Sequence, residues 1–167
     1  MKIALIALLT VAVTFDLTQE FDEAKVKMDL PNDSWSLADK RSGSMTAYIF
    51  KRQPIEDSSG RQIIPNIAVL IEDVDKKTDA ITYSASKRIK TPFEVSDVFT
   101  HEKGTLMFKN AIGYKGKYVD QGGLEHTVYV VHAINEKKGL QIICDVTTNI
   151  LDKVEPEFLA ALKSIRK

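Results

Sequence analysis

Three histidines, one cysteine and scattered carboxylates are the side chains here with the chemistry for metal binding or nucleophilic catalysis. His126 and His132 lie in one segment of period-two alternation, on the same face of a strand and about 20 Å apart, too far to share a metal ion. His101 stands in Thr100-His101-Glu102-Lys103-Gly104, a polar loop with no second ligand at metal spacing. Cys144 and His132 come within reach of a thiol–imidazole dyad if their strands pair symmetrically. Val130, Ile134 and Ile142 surround that pair, however, and a thiol in apolar surroundings keeps its proton. Glu72, Asp73, Asp75 and Asp79 begin like a calcium loop, but Lys76 and Lys77 interrupt the ligand spacing, and the sharp-turn glycine and closing glutamate are missing. Gly113-Tyr114-Lys115-Gly116 has the spacing of a nucleic-acid-clamping Gly-x-x-Gly loop, yet falls inside a strand. No nucleophile elbow, P-loop, dinucleotide fingerprint or His-Glu-x-x-His occurs. The residues therefore predict no catalytic, cofactor-binding or metal site, and favour a binding or structural role.

Composition narrows the function classes in the same direction. Across 167 residues, 44% are hydrophobic and 28% charged, the balance of one folded domain and not of a disordered or polytopic membrane chain. Lys+Arg and Asp+Glu both number 23, so the formal net charge is +0 and no global field draws the chain to nucleic acid or anionic lipid. A single cysteine forms no internal disulfide.

The chain opens on an address. Lys2 precedes Ile3-Ala4-Leu5-Ile6-Ala7-Leu8-Leu9-Thr10-Val11-Ala12-Val13, a positive charge ahead of about eleven uncharged residues, which is the order of a secretory signal. The run is shorter than the ~20 residues that a membrane span needs. Small residues at Ala12 and Thr14 offer cleavage points, and no lipid-attachment cysteine follows. The expectation is a signal peptide over 1–14, export to the periplasm or the extracellular space, and no integral membrane segment after its removal.

The rest reads as alternating strands with two helices. Val26, Met28 and Leu30, then Trp35 and Leu37, alternate around Pro31-Asn32-Asp33 and predict a hairpin. Met45 to Phe50 and Ile63 to Val74 predict strands on either side of a loop over 53–62, with Ile67, Val69 and Ile71 on one face. Thr78-Asp79 caps a helix over 80–89 whose Ile81, Ala85, Arg88 and Ile89 recur at helical spacing, while Lys87, Arg88 and Lys90 complement its C-terminal dipole. Residues 111–147 predict a three-stranded meander turning at Asp120-Gln121-Gly122-Gly123 and at Glu136-Lys137-Lys138-Gly139. Glu155-Pro156 opens a last helix with Phe158, Leu159, Leu162 and Ile165 as its apolar stripe.

Symmetric turns would set Tyr129 opposite Lys115 on one side and Asp145 on the other, and the period of two then sorts the meander. One face takes Ile112, Tyr114, Tyr118, Val128, Val130, Ile134, Leu140, Ile142, Cys144 and Val146, and is predicted as core with Cys144 a free buried thiol. The other is mixed: Lys115, Lys117, Thr127, Tyr129, Val131, Ile143, Asp145 and Thr147. Its row Lys115–Tyr129–Asp145, with Lys117, Thr127 and Thr147 beside it, is the candidate contact surface. The ring contributes area at low entropy cost, the charges fix orientation, and rigid strands hold the group. The competing expectation is a salt-bridged solvent face or a strip beneath a helix.

Several punctuating segments resemble the PsbP-like family: Leu30-Pro31 followed by Trp35, Gly113-Tyr114-Lys115-Gly116-Lys117-Tyr118-Val119-Asp120, Tyr129-Val130-Val131, Asp145-Val146-Thr147, Glu155-Pro156-Glu157-Phe158 and Leu162-Lys163-Ser164-Ile165. The similarity spans residues 20–167 as a single domain. It implies an α+β fold, an α-β-α sandwich on a mainly antiparallel sheet, as in an accessory protein of plant photosystems, the Ran-binding nuclear protein Mog and bacterial envelope proteins. Such proteins are mostly non-enzymatic binders. The resemblance thus implies an exported accessory or interaction protein with another protein as partner and no cofactor. The alternative is a carrier of a small ligand or metal ion, and third comes an enzyme whose site no motif reveals. No chloroplast-type transit segment or partner-specific motif carries photosynthetic or Ran-related function to this chain, and fold analogy alone assigns none.

Overall fold

The computed structural model describes residues 17–89 and 93–167, so the signal peptide expected over 1–14 and the Lys90 contribution to the helix end lie outside the described residues. In chain order the elements are β1 (Thr18–Phe21), β2 (Val26–Asp29), β3 (Trp35–Arg41), β4 (Met45–Arg52), β5 (Ile55–Glu56), β6 (Gln62–Ile63), β7 (Asn66–Asp73) and α1 (Ala80–Arg88). They continue with β8 (Glu94–Thr100), β9 (Ala111–Val119), β10 (Glu125–Asn135), β11 (Lys138–Thr147), a 3-10 turn over Thr148–Ile150 and α2 (Leu151–Lys163). Seven strands form one antiparallel sheet in the order β3-β4-β7-β11-β10-β9-β8. α1 packs on one face of it, and α2 with the β1–β2 hairpin on the other. The architecture is an α+β, α-β-α arrangement on an antiparallel sheet, the layering expected from the resemblance.

The larger core lies on the α2 face. Phe50, Ile67, Val69, Ile71, Val131, Leu140, Ile142 and Cys144 point up from the sheet and are buried against Phe21 and Met28 of the hairpin and Val154, Phe158 and Leu162 of α2. The expected α2 stripe holds for Phe158, Leu162 and the following Ile165, whereas Leu159 is 39% exposed. The helix begins at Leu151, not at Glu155-Pro156: the 3-10 turn feeds straight into it, and Pro156 stands inside it on the exposed side. The N-terminal hairpin also differs from the expected one. β2 pairs back with β1 and, at Lys27, with the backbone of Arg166, while β3 crosses to the large sheet and pairs with β4. Pro31-Asn32-Asp33 thus joins two layers instead of two neighbouring strands.

α1 docks through the side that apolar periodicity passes over. Ile81 and Ile89 are 71% and 84% exposed, and Ala85 is exposed, whereas Ala80, Tyr83 and Ser84 face the sheet. This helix is held by small residues and hydroxyls that find buried partners; of the expected stripe, Ile81, Ala85 and Ile89 stay exposed, while Arg88 packs with its guanidinium 4.7 Å from the centre of the Tyr114 ring.

Register decides what each face contains. β9 and β10 pair as expected, Tyr129 opposite Lys115, but β10 and β11 close at Asn135↔Lys138, so that Tyr129 faces Cys144 and Val128 faces Asp145. The turn is only Glu136 and Lys137, with Glu136 at φ 54°. The slip of one residue turns β11 over. Leu140, Ile142, Cys144 and Val146 therefore share the α2 face with Tyr129 and Val131, while Ile143, Asp145 and Thr147 join Val128, Val130 and Ile134 on the α1 face.

Close approach on the α1 side requires Gly139, where an added Cβ would lie 2.6 Å from Cζ of Tyr83. Gly139→Ala is expected to cost about 1–3 kcal/mol by overpacking. Gly43→Ala, with nothing within 4 Å of the added Cβ, serves as the control. It should stay within about 1 kcal/mol of the parent. Urea titration of both variants measures the difference, and equal midpoints would contradict the packing assigned to α1.

Candidate functional site

The observed register divides the expected contact row. Lys115, Lys117, Thr127 and Tyr129 lie on the α2 face, Asp145 and Thr147 on the α1 face. Tyr129 is buried with its ring 6.2 Å from those of Phe99 and Phe158, and its hydroxyl donates to Oε1 of Glu155 on α2. Lys115 Nζ donates to the same oxygen at 2.7 Å and lies 5.4 Å from the centre of the Tyr129 ring. Burial, then the Glu155 carboxylate, push the Tyr129 hydroxyl's pKa up, while hydrogen bonds from Lys115 and Tyr129 hold Glu155 below the usual carboxylate range. Lys117 pairs with Glu125 at 2.8 Å, and Thr127 Oγ1 lies 2.9 Å from Thr148 Oγ1. Lys115, Tyr129 and Thr127 thus clamp α2 and the turn before it to the sheet, while the Lys117–Glu125 pair joins β9 to β10.

Asp145 organises a second group, on the other face. Tyr118 donates to its Oδ2 at 2.7 Å, His126 Nδ1 is 2.8 Å from its Oδ1, and the Tyr118 and His126 rings stack 4.9 Å apart. Asp120 Oδ2 lies 3.5 Å from His126 Nε2, which makes no hydrogen bond. Thr147, directly opposite His126, keeps its buried Oγ1 without a hydrogen-bond partner. Sequence reasoning missed this group because it placed Asp145 beside Tyr129. The available signal was the β9–β10 register, which already sets Tyr118 opposite His126. Among the described residues no three or more His, Cys, Asp or Glu side chains are placed to hold a metal ion. His101 clips its own loop, with Nδ1 2.9 Å from the Leu106 carbonyl oxygen.

The two members of the postulated dyad point to opposite faces. Cys144 is 0% exposed in the α2 core, where burial raises its pKa, and His132 lies on the α1 face opposite Gln141. His132 Nδ1 instead lies 2.9 Å from Ser84 Oγ, which lies 2.8 Å from Tyr114 OH. Beside them Tyr83 donates to Glu72 Oε1 at 2.6 Å, and Lys87 closes on the same oxygen. A serine hydroxyl beside an imidazole is the pairing that activates a nucleophile. Here Ser84 and His132 are 1% and 2% exposed, so a substrate does not reach Oγ. Burial brings the His132 pKa down to about 4, with the charges of Arg88 and Lys87 pushing the same way. The network binds α1 to the sheet.

What the sheet leaves open is a surface. α1 packs on β9 and β10; across β4, β7 and β11 the same face carries the rows Ile49–Ala68–Ile143 and Ala47–Leu70–Gln141. Ala47, Ile49, Ala68, Leu70 and Ile143 are all partly exposed, and Met45 beside them is 39% exposed. The unbroken apolar run of β7, Ile67 to Ile71, is the pattern of a strand covered on both faces. Asp39, Arg41, Lys51 and Asp145 border the patch. Both edges of the sheet are guarded: β3 and β8 carry bulges at Leu37/Asp39 and Val95/Asp97, and charges on those same strands.

Burial of His132 sets a pH dependence. The unfolded chain takes up this proton near 6.5 and the folded one near 4, so between those values the unfolded state binds more protons. The contribution is fully present above pH 6.5 and is lost as the pH falls toward 4, about 3 kcal/mol in total. Denaturant titrations from pH 7 to 4 should show that slope, and His132→Gln should flatten it.

No protein-family model and no curated protein matches this sequence. Solved structures do. One is a Pseudomonas aeruginosa protein of unknown function described as a putative regulator, at TM-score 0.56 and 14% identity over 90% of this chain and 95% of that one. Another is LpqN of Mycobacterium tuberculosis, described as involved in cell envelope biogenesis, at TM-score 0.50 and 19% identity over 86% of this chain and 84% of that one. At these identities the likeness is one of fold: the chain shares the overall arrangement of two bacterial proteins of similar extent.

Proposed function

We propose that the protein is an exported, non-enzymatic accessory protein that works by binding another protein. The observation that carries this reading is the partly exposed apolar surface of Ala47, Ile49, Ala68, Leu70 and Ile143 on three adjacent strands. Apolar side chains in rows on a rigid sheet, bordered by charges of both signs, suit an interface whose centre excludes water and whose rim sets orientation. The bulged, charged edges of the sheet favour docking on this face over addition of a strand. The non-enzymatic part is supported by the burial of the Ser84–His132 pair and of Cys144. Export rests on the uncharged run after Lys2, and the envelope role described for LpqN is in keeping with it. A PsbP-like relationship belongs to the same proposal and rests on the sequence segments that resemble that family, Gly113 to Asp120 and Glu155 to Phe158 among them.

Capture from the native envelope tests the surface. Leu70→Lys should abolish capture while changing stability by about 1 kcal/mol or less, because a long cationic side chain on a partly exposed strand can reach water. Tyr129→Ala should cost about 3–5 kcal/mol yet capture the partner under conditions where it stays folded. Normal capture by Leu70→Lys would refute this surface. Loss of capture in folded Tyr129→Ala alone would return the Lys115–Tyr129 row as the contact.

A further inference from the structure

The attachment of α1 to the sheet centres on one imidazole. His132, buried on β10 beneath the helix, has its Nδ1 2.9 Å from Ser84 Oγ and its ring 5.9 and 6.0 Å from those of Tyr83 and Tyr114, edge-on to both. Lys87 and Arg88 of the helix, Tyr114 of β9 and Gln141 of β11 surround it. The carboxylate of this region, Glu72 on β7, already accepts from Tyr83 and pairs with Lys87. A neutral ring suits these surroundings and a charged one does not: burial denies it water, the two cations repel it, and only the Gln141 hydrogen bond favours it.

The rest of the attachment is slight. The buried cluster under α1 consists of Ala80, Tyr83 and Ile134, packed with Val74, and is separate from the large core on the α2 face. Ile81, Ala85 and Ile89, on the outer side of the helix, are exposed. Nine residues also make too short a helix to persist in water without a surface to pack on.

We propose that α1 is an acid-released cover: a proton taken up by His132 detaches the helix from β9 and β10 while the α2 side of the sheet stays packed. Once the helix has left, the imidazole meets water and charges freely, so each fall in pH below the ordinary histidine range favours the open form. The rows beneath α1, Ile112–His132 and Tyr114–Val130, continue the open rows Gln141–Leu70–Ala47 and Ile143–Ala68–Ile49. Release thus extends the open face from three strands to five. It does not depend on any partner of that face, and the two proposals fail separately.

Amide hydrogen exchange from pH 7 to 5, followed by segment and corrected for the intrinsic pH dependence of exchange, tests the release. Protection of Ala80–Arg88 should fall about twentyfold over that range, as titration near 6.5 in the open form and near 4 in the closed one requires. Cys144, buried in the α2 core, reports on the rest of the molecule: its labelling by a disulfide reagent active in acid should stay slow at pH 5. His132→Gln, or His132→Asn should the longer amide fail to fold, should reduce the change at α1 to about threefold or less. Protection of α1 that does not change with pH, the same fall in the folded variant, or Cys144 labelling that rises in step with helix exchange would each overturn the proposal.

Discussion

Much of this structure depends on a turn containing only Glu136 and Lys137. A two-residue connection fixes the pairing of β10 with β11, and in a sheet every pairing also fixes which face each side chain enters. Glu136 takes φ 54° to make the turn, a conformation that costs an L residue roughly 1–2 kcal/mol. Its surroundings hold it there. The Val74 amide donates to the Lys137 carbonyl at 2.9 Å, and Asn135, buried, donates to the Ala24 carbonyl at 2.8 Å. The Lys25–Glu136 ion pair spans the same two loops but is largely exposed, and pairs of that kind contribute little. The Asn135 bond therefore matters more, since losing it would leave a buried carbonyl without its partner. Lys25 itself has φ 50°, so two left-handed turns from distant parts of the chain brace one another.

With the register set, the two faces of the sheet are bound by different means. On the α2 face, aromatic and aliphatic burial dominates, and Glu155 and Glu157, on either side of Pro156, fasten the helix. Glu155 takes Lys115 and Tyr129, while Glu157 takes both Arg52 Nε at 2.9 Å and Trp35 Nε1 at 2.7 Å. Burial raises the Glu157 pKa, but the Arg52 and Trp35 hydrogen bonds outweigh it and hold the carboxyl below its ordinary range. On the α1 face, the only buried hydrophobic residues of the helix are Ala80 and Tyr83, and hydrogen bonds through Ser84, Tyr83 and Lys87 complete the attachment.

That contrast explains which parts of the fold were readable in advance. β7 and β9 to β11 announce themselves as apolar, β-branched and aromatic runs bounded by turn residues, and the span of α1 by Asp79, whose carboxylate accepts from the Thr82 amide at 2.7 Å. The orientation of α1 was not readable: periodicity counts apolar side chains, and this helix turns hydroxyls and an alanine inward. The β10–β11 register escaped for a related reason. Gly139 invites placement in the turn, yet it is a strand residue kept small by the Tyr83 ring above it, while a glutamate takes the left-handed position. Strict alternation on β10 carried no correction, because Val128 to Ala133 is buried at every position on both faces. Where both faces are covered, the pattern loses its power to say which is which.

The same double coverage bears on where function resides. Lys115, Tyr129, Asp145 and Thr147 were candidates because their chemistry is conspicuous, yet the first three are engaged with other parts of the chain, and Thr147 is buried. Side chains bound in this way orient elements and have little freedom left for a partner. The strands β4, β7 and β11 present the reverse case: on their α1 side Ala47, Ile49, Ala68, Leu70 and Ile143 are chemically plain and stay partly exposed. A sheet already rigid from its α2 core can hold those side chains in place without further cover. Recognition on such a surface would come from shape and desolvation at the centre, with orientation set by Asp39, Arg41 and Lys51 at the margin. On the proposed reading the working surface is the apolar area that the helices leave partly exposed, and conspicuous side chains such as Tyr129 and Asp145 serve the fold instead.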